Sequence, residues 1–317
     1  MESVSRSESG GSIVPDIAVV GPWAKEKLEA LERYLDFYAK VLKNQRWRTI
    51  YVDAFAGGGR ALVRANSAQE DESIPLFEPE PASDVDRTEL IDGSPRVALN
   101  VANPFSRYVF VENDPARCEE LEAVKVEFDG TRQIDILRTS AADGISWVTA
   151  RQISKATHRG IAFLDPFGAN LEWASVEKLA ATGIFEVVVN FALSMAIQRM
   201  LPNSGEIPAA WAKTLDAYFG SRAWFEEVYR ERSGGLFNTP GFEKREEYAD
   251  RLLQLYRARL KAAFGHVSTP RLIRNSKGAP LYYLLWAGPH TKGLQGADHI
   301  LSMGESLSKK RGAAVAA

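Results

Sequence analysis

The chain has 317 residues, 45% of them hydrophobic and 25% charged, with a formal net charge of −2 at pH 7. That balance excludes a global basic field, so a nucleic-acid partner has to be met by a local patch. A single cysteine, Cys118, excludes a disulfide framework and a cysteine metal site within the chain, and His158, His266, His290 and His299 lack ligand-like spacing.

Residues 1–14 are rich in Ser, Gly and Glu and carry no apolar core, so they read as a disordered start and not as a signal peptide. With no apolar run near the roughly 20 residues a membrane helix needs, a soluble cytoplasmic protein is expected. Trp23 to Leu42 places Leu28, Leu31, Leu35, Tyr38 and Val41 at helical spacing, which predicts an amphipathic helix packed on a sheet. Thr49 to Ala54 predicts the first strand, and it runs straight into Gly57-Gly58-Gly59. Residues 66–89 hold Glu70-Asp71-Glu72, Glu78-Pro79-Glu80-Pro81 and Asp84-Val85-Asp86, which predicts an acidic, mobile surface loop. Asp92-Gly93-Ser94-Pro95 then opens a helix, with Ser94 expected as its N-cap and Pro95 at the first helical position.

Arg107 to Glu112 reads as a second strand, followed by Asn113-Asp114-Pro115 and a helix through Val126. Gln133 to Arg138 is a third strand, and Gly160 to Asp165 a fourth that ends in Asp165-Pro166-Phe167-Gly168. A helix over Glu172 to Thr182 and a fifth strand over Phe185 to Phe191 follow. Strands alternating with helices imply right-handed crossovers and a parallel sheet covered on both faces. Residues 15–193 are thus read as the core. Residues 194–265 form a helical insertion whose Trp211, Tyr218, Trp224, Phe225 and Tyr229 read as its own packing. Residues 266–301 add a terminal hairpin of Pro270 to Asn275 and Pro280 to Ala287, and residues 302–317 are expected to be a flexible tail.

A strand feeding a glycine turn lets the backbone approach a nucleotide-like ligand closely. Phosphate loops follow their glycines with Lys and Ser or Thr, whereas here Arg60-Ala61-Leu62 follows. The strand-end acid Asp53 suits a cationic, amine-bearing cofactor, and S-adenosylmethionine (SAM) is one. A parallel sheet closed by an antiparallel hairpin is also the class I SAM-methyltransferase-like, Rossmann-like α/β arrangement. The cofactor-facing set is Asp53, Phe55, Gly57, Gly59, Glu112, Asp114 and Asp143. Glu112 would accept from ribose hydroxyls. Asp53 also reads as a cap in a tight turn, Asp114 equally as a helix cap, and Asp143, expected near an adenine amino group, equally as a turn residue before Gly144. The substrate-facing set is Asp165, Pro166, Phe167 and Gly168. A rigid Asp-Pro turn offers a carboxylate and a carbonyl to an exocyclic amine, and Phe167 can stack on a base. Methyl transfer needs alignment more than acid–base groups, so the lack of a Ser/His/Asp set is no objection. No metal site is expected.

Trp23…Lys27-Leu28…Leu31…Tyr34-Leu35, Tyr51-Val52-Asp53-Ala54-Phe55-Ala56-Gly57, Asp92-Gly93-Ser94-Pro95, Phe110-Val111-Glu112-Asn113-Asp114, Phe163 to Gly168 and Pro280 to Leu285 together resemble the three-Cys-motif partner family, TcmP. The resemblance spans roughly residues 20 to 300. The turn departs from the family's common Gly-Pro-Gly, and the 66–89 insertion is unusually acidic. The resemblance implies a SAM-methyltransferase-like fold in a bacterial protein, paired with a separate cysteine-motif protein of the radical-SAM type. Asp165-Pro166-Phe167-Gly168 is also similar to the corresponding turn of tRNA guanine-N2 methyltransferases. The leading expectation is SAM-dependent N-methylation of a nucleobase amino group in RNA or DNA. The alternative is a non-catalytic partner that docks the cysteine-motif protein or nucleic acid.

Overall fold

The computed structural model describes residues 18–64, 88–232, 241–275 and 277–315. The disordered start expected over residues 1–14, and residues 66–87 of the expected acidic loop, lie outside these. The described chain opens with β1 (Val19–Val20) and α1 (Trp23–Leu42), then β2 (Arg48–Asp53), β3 (Arg60–Arg64) and β4 (Thr88–Asp92). It continues through α2 (Ser94–Leu99), β5 (Arg107–Glu112), α3 (Pro115–Glu127), β6 (Ile134–Arg138), α4 (Ala141–Thr149), β7 (His158–Leu164), α5 (Trp173–Thr182) and β8 (Phe185–Phe191). A single π-helical turn at Leu193–Ile197 leads into α6 (Ala209–Phe219), α7 (Ala223–Val228), β9 (Tyr229–Glu231), β10 (Phe242–Lys244) and α8 (Tyr248–Phe264). The chain closes with β11 (His266–Val267), β12 (Arg271–Arg274), β13 (Pro280–Gly288) and α9 (Thr291–Val315).

The central sheet has eight strands in the order β6-β5-β2-β7-β8-β13-β11, with β12 also on β13. From β6 to β8 every pairing is parallel, and β13 joins β8 antiparallel. This is a class I methyltransferase-like sheet: parallel strands fan out both ways from β2, and a reversed hairpin fills the far edge. The order reverses between β2 and β7, the topological switch point where ligands bind in open α/β sheets. The chain leaves β2 through the glycine turn and leaves β7 through the Asp-Pro turn, so both motifs meet at one crevice.

Alternation along each strand sends two apolar sets to opposite faces. Val52, Val109, Val111, Ala162, Leu164, Val187 and Val189 face α4, α5 and α8, and Tyr218, Phe219, Trp224 and Tyr256 of the insertion join the same buried cluster. Tyr51, Tyr108, Phe110, Ile161, Phe163, Val188 and Trp286 face the other way and pack with Leu31, Tyr34 and Leu35 of α1 and Ala297, Ile300 and Leu301 of α9.

Several local expectations change. The first helix spans Trp23–Leu42 as predicted. At α2 the N-cap is Gly93, and Ser94 is the first helical residue. Its hydroxyl is drawn to the buried Asp53 carboxylate instead of capping the helix. The glycine turn is followed by strand β3, which pairs with β4 and β1 in a separate three-stranded sheet. The hairpin leaves and returns at one point, where Gly93 N–H donates to Gly59 O at 2.9 Å. Residues 302–315, expected as tail, continue α9. Among the described residues no helix is long and apolar enough to cross a membrane.

α1 is bolted to the sheet through a buried acid. Tyr34 Oη donates to Glu186 Oε2 at 2.7 Å, and Trp286 Nε1 donates to the same oxygen at 3.3 Å. Burial pushes the Glu186 carboxyl from its ordinary 4.5 up to about 7, although both hydrogen bonds oppose the shift. The folded protein therefore holds this proton where the unfolded chain releases it. The associated stability is present below about pH 4.5 and is lost as pH rises through 7. Glu186→Gln keeps an acceptor for Tyr34 and removes the titration. Denaturant unfolding at pH 5 and pH 8 should show a shallower pH dependence and a gain of about 1–3 kcal/mol at pH 8. An unchanged pH slope would sink this assignment.

Candidate functional site

The glycine turn takes its shape from left-handed backbone at Gly57 (φ +62°) and Gly59 (φ +87°). A Cβ built at Gly57 would meet nothing within 4 Å, so the backbone is bare on an open side, as close approach of a ligand requires. At Gly59 a Cβ would lie 3.0 Å from a Val124 methyl of α3, so this glycine also seats the turn on the helix layer.

Glu112, at the end of β5, organises the turn from the neighbouring strand. Its Oε2 accepts from Gly57 N–H at 2.9 Å, and its Oε1 accepts from Asn113 and Asp114 N–H, each at 2.9 Å. A carboxylate offers about four acceptor positions, so three are filled and one is left for a ligand hydroxyl.

Asp53 does not face an open pocket. Its side chain is 0% exposed, accepting from Tyr51 Oη and from Phe55 N–H, both at 3.3 Å. Burial raises its carboxyl to about 7, and the nearby Asp165 charge adds to the shift. The sequence reading of Asp53 as a group facing the cofactor is therefore corrected to one that braces the turn from beneath. Phe55 is half-buried and packs on the apolar cluster under α5. Asp114 is the N-cap of α3, its carboxylate accepting from Arg117 N–H at 3.0 Å. Asp143 lies in the first turn of α4, in a reciprocal pairing with Ser140: Asp143 N–H donates to Ser140 Oγ at 3.1 Å and Ser140 Oγ donates to Asp143 Oδ2 at 2.8 Å. Asp114 thus caps α3 and Asp143 supports the Ser140 cap of α4, and neither is drawn into the glycine turn beyond the Asp114 N–H bond to Glu112.

On the other side of the switch point, Asp165 continues the α1-facing row of β7. Its Oδ1 accepts from Asn190 Nδ2 of β8 at 2.7 Å, and its Oδ2 is ion-paired with Lys27 of α1. Lys27 also lies 5.6 Å from the Tyr282 ring centroid. Gly168 turns with φ +80°, and Phe167 stands out from the surface with 78% of its area exposed, unusual for a phenylalanine. Pro166 holds the turn between them. The switch point thus carries Gly57 and Glu112 beyond β2 and β5, and Asp165 and Phe167 beyond β7. Two of its polar members, Lys27 and Asn190, were not read from the sequence as site residues. Asn190 carried a signal, being a lone amide in the otherwise apolar end of the buried run Val187-Val188-Val189-Asn190-Phe191. Lys27 stood only within the Trp23…Lys27-Leu28 series of the family resemblance, with no role attached to it.

No family model and no curated protein matches the chain. Solved structures of similar shape exist at low identity. The protein LPL1258 from Legionella pneumophila is 14% identical over 82% of this chain and 97% of its own, with a TM-score of 0.39. Spermidine synthase from Thermotoga maritima is 9% identical over 87% of this chain and 62% of its own, with a TM-score of 0.39. The bifunctional kinase-methyltransferase WbdD is 11% identical over 88% of this chain and 45% of its own, with a TM-score of 0.37.

The two left-handed glycines should respond differently to a methyl group. Gly57→Ala meets only backbone strain, about 1–2 kcal/mol. Gly59→Ala adds the contact with Val124 and should lose more stability in urea unfolding. Equal losses at the two sites would contradict the packing role of Gly59.

Proposed function

We propose that the chain is a SAM-dependent N-methyltransferase of the TcmP type that acts on a nucleobase amino group in RNA or DNA. The observation that carries this reading is the pairing, across one switch-point crevice, of a bare glycine turn with an acid-and-aromatic turn. Gly57, Gly59 and Glu112 would hold the cofactor, with Asp53 fixing the turn from below. When bound, SAM supplies a methyl group already activated on a sulfonium. The chain's own residues then have to align the acceptor and keep water out.

Asp165 offers a carboxylate at the substrate side, and Pro166 keeps the turn rigid. The exposed ring of Phe167 provides a face on which a base taken out of its stack can lie, an interaction worth about 1–3 kcal/mol. With a net charge of −2 the chain has no global field to draw in nucleic acid, and a partner can supplement a local patch. The proposed cysteine-motif partner, of the radical-SAM type, would fill that role.

Two measurements test the reading. Calorimetric titration with SAM should show binding that Glu112→Ala weakens about ten-fold or more, one charge-assisted hydrogen bond's worth. Transfer of labelled methyl from SAM to total bacterial nucleic acid should be lost in Asp165→Ala and reduced strongly in Phe167→Ala. Absence of SAM binding would overturn the cofactor assignment. Binding without transfer, together with co-purification of a cysteine-motif protein, would favour the non-catalytic docking role.

A further inference from the structure

Asn190 is 6% exposed, and its amide orientation is settled by chemistry. A carboxylate oxygen only accepts, so the atom 2.7 Å from Asp165 Oδ1 has to be Nδ2. That leaves Oδ1 on the far side of the amide, buried and with no donor among the described residues. A buried acceptor left without a donor costs about 1–3 kcal/mol, and such an atom in a folded protein calls for an explanation. Its neighbour Asp165 has the opposite condition. Both of its oxygens are engaged, one by Asn190 and one by the ammonium of Lys27. The two acceptors stand at the ends of adjacent strands, β7 and β8, whose register pairs Leu164 with Val189 one residue earlier. Lys27 reaches them from another layer, on a flexible four-carbon stem from α1.

We propose that Asp165 and Asn190 together form a receptor for the primary amino group of a nucleobase. Asn190 Oδ1 is the second acceptor, and the Lys27 ammonium holds Asp165 until the amine arrives. This rests on the reading of the Asp165–Gly168 turn as the substrate side of a methyl-transfer site. A primary amine carries two N–H donors, one for each acceptor, which explains why one acceptor is vacant of donors and the other carries a nitrogen cation. Phe167, exposed two residues on from Asp165, selects a flat ring as the body to which that amine is attached. The receptor accepts adenine, cytosine and guanine and disfavours uracil, hypoxanthine and unsubstituted purine, which present no amino group. Lys27 is here a positioning residue that keeps the carboxylate compensated in the absence of substrate.

The test is an NMR titration of the full chain with adenosine, cytidine, purine riboside, uridine and putrescine, following the Asn190 side-chain amide. Adenosine and cytidine should shift that resonance and bind about five-fold or more tightly than purine riboside and uridine, one hydrogen bond's worth. Asn190→Leu should abolish the preference and Asn190→Ser reduce it. Lys27→Met should keep or strengthen it. Equal binding of adenosine and purine riboside, no binding of either, tighter binding of putrescine than of adenosine, or loss of the preference in Lys27→Met would each overturn the proposal. The Asn190 shift and the ligand preference of the unmutated chain keep the test decisive if a variant misfolds. Amine-selective binding without methyl transfer to nucleic acid would overturn the proposed reaction and leave the receptor standing. Methyl transfer without amine selectivity would do the reverse.

Discussion

Carboxyl groups gathered beneath α1, two of them buried and one partly buried, are the constraint around which the rest of the molecule is arranged. Asp53, Asp165 and Glu186 lie on three neighbouring strands and on the same face of the sheet. Each has to find partners in a place where water is scarce, because an unpaired buried charge is far more costly than an exposed one. The helix above supplies them for two of the three, while Asp53 is held by Tyr51, Ser94 and the Phe55 N–H. Tyr34 donates to Glu186, Lys27 pairs with Asp165, and Glu26 pairs at 2.6 Å with Arg271 of β12, itself only 4% exposed. α1 is therefore held by polar bonds at several points along its length as well as by the apolar seam of Leu31 and Leu35. Shifting it would strip partners from Glu186 and Asp165 together.

The same arrangement gives the crevice its chemistry. A sheet face lined only by apolar side chains could hold a helix equally well. It could not present an orientated carboxylate and amide to a ligand. At the end of β5, Glu112 acts in the same spirit: by accepting three backbone N–H groups it fixes the shape of two turns and keeps one acceptor in hand. Rigidity comes from acids that accept from the backbone, and recognition from the acceptor positions left over.

Much of the sheet was legible in the sequence, because β-branched and aromatic runs ending in an acid are strong signals and the helix of Trp23–Leu42 has a clear 3.6-residue period. What was hidden depended on long-range contacts. Ser94 looks like a helix cap in every local respect, yet its hydroxyl is claimed by Asp53, some forty positions earlier in the chain. The last helix was obscured by Gly293 and Gly296, residues of poor helix propensity. Their role is close approach: a Cβ at Gly296 would stand 2.1 Å from the Phe37 ring, and one at Gly293 would stand 2.6 Å from the Trp286 ring. At the site, the glycine turn and the Asp-Pro turn were visible as motifs. The burial of Asp53 was not, since nothing local tells a strand-end acid that faces a pocket from one that lies under it. The shared role of Lys27 and Asn190 emerged only when two strands and a helix placed them against the same carboxylate.

The pinch between Gly59 and Gly93 has a consequence for how such a chain can change over time. A Cβ at Gly93 would sit 3.1 Å from the Gly59 carbonyl carbon, so the two backbones are in contact where the β3–β4 excursion begins and ends. Whatever is threaded between those two residues enters and exits through a single doorway, and the core strand and helix on either side keep their relative placement. The excursion is therefore the place where length and charge can change at least cost to the switch point, provided the ion pair that ties Glu89 of β4 to Lys25 of α1 is kept.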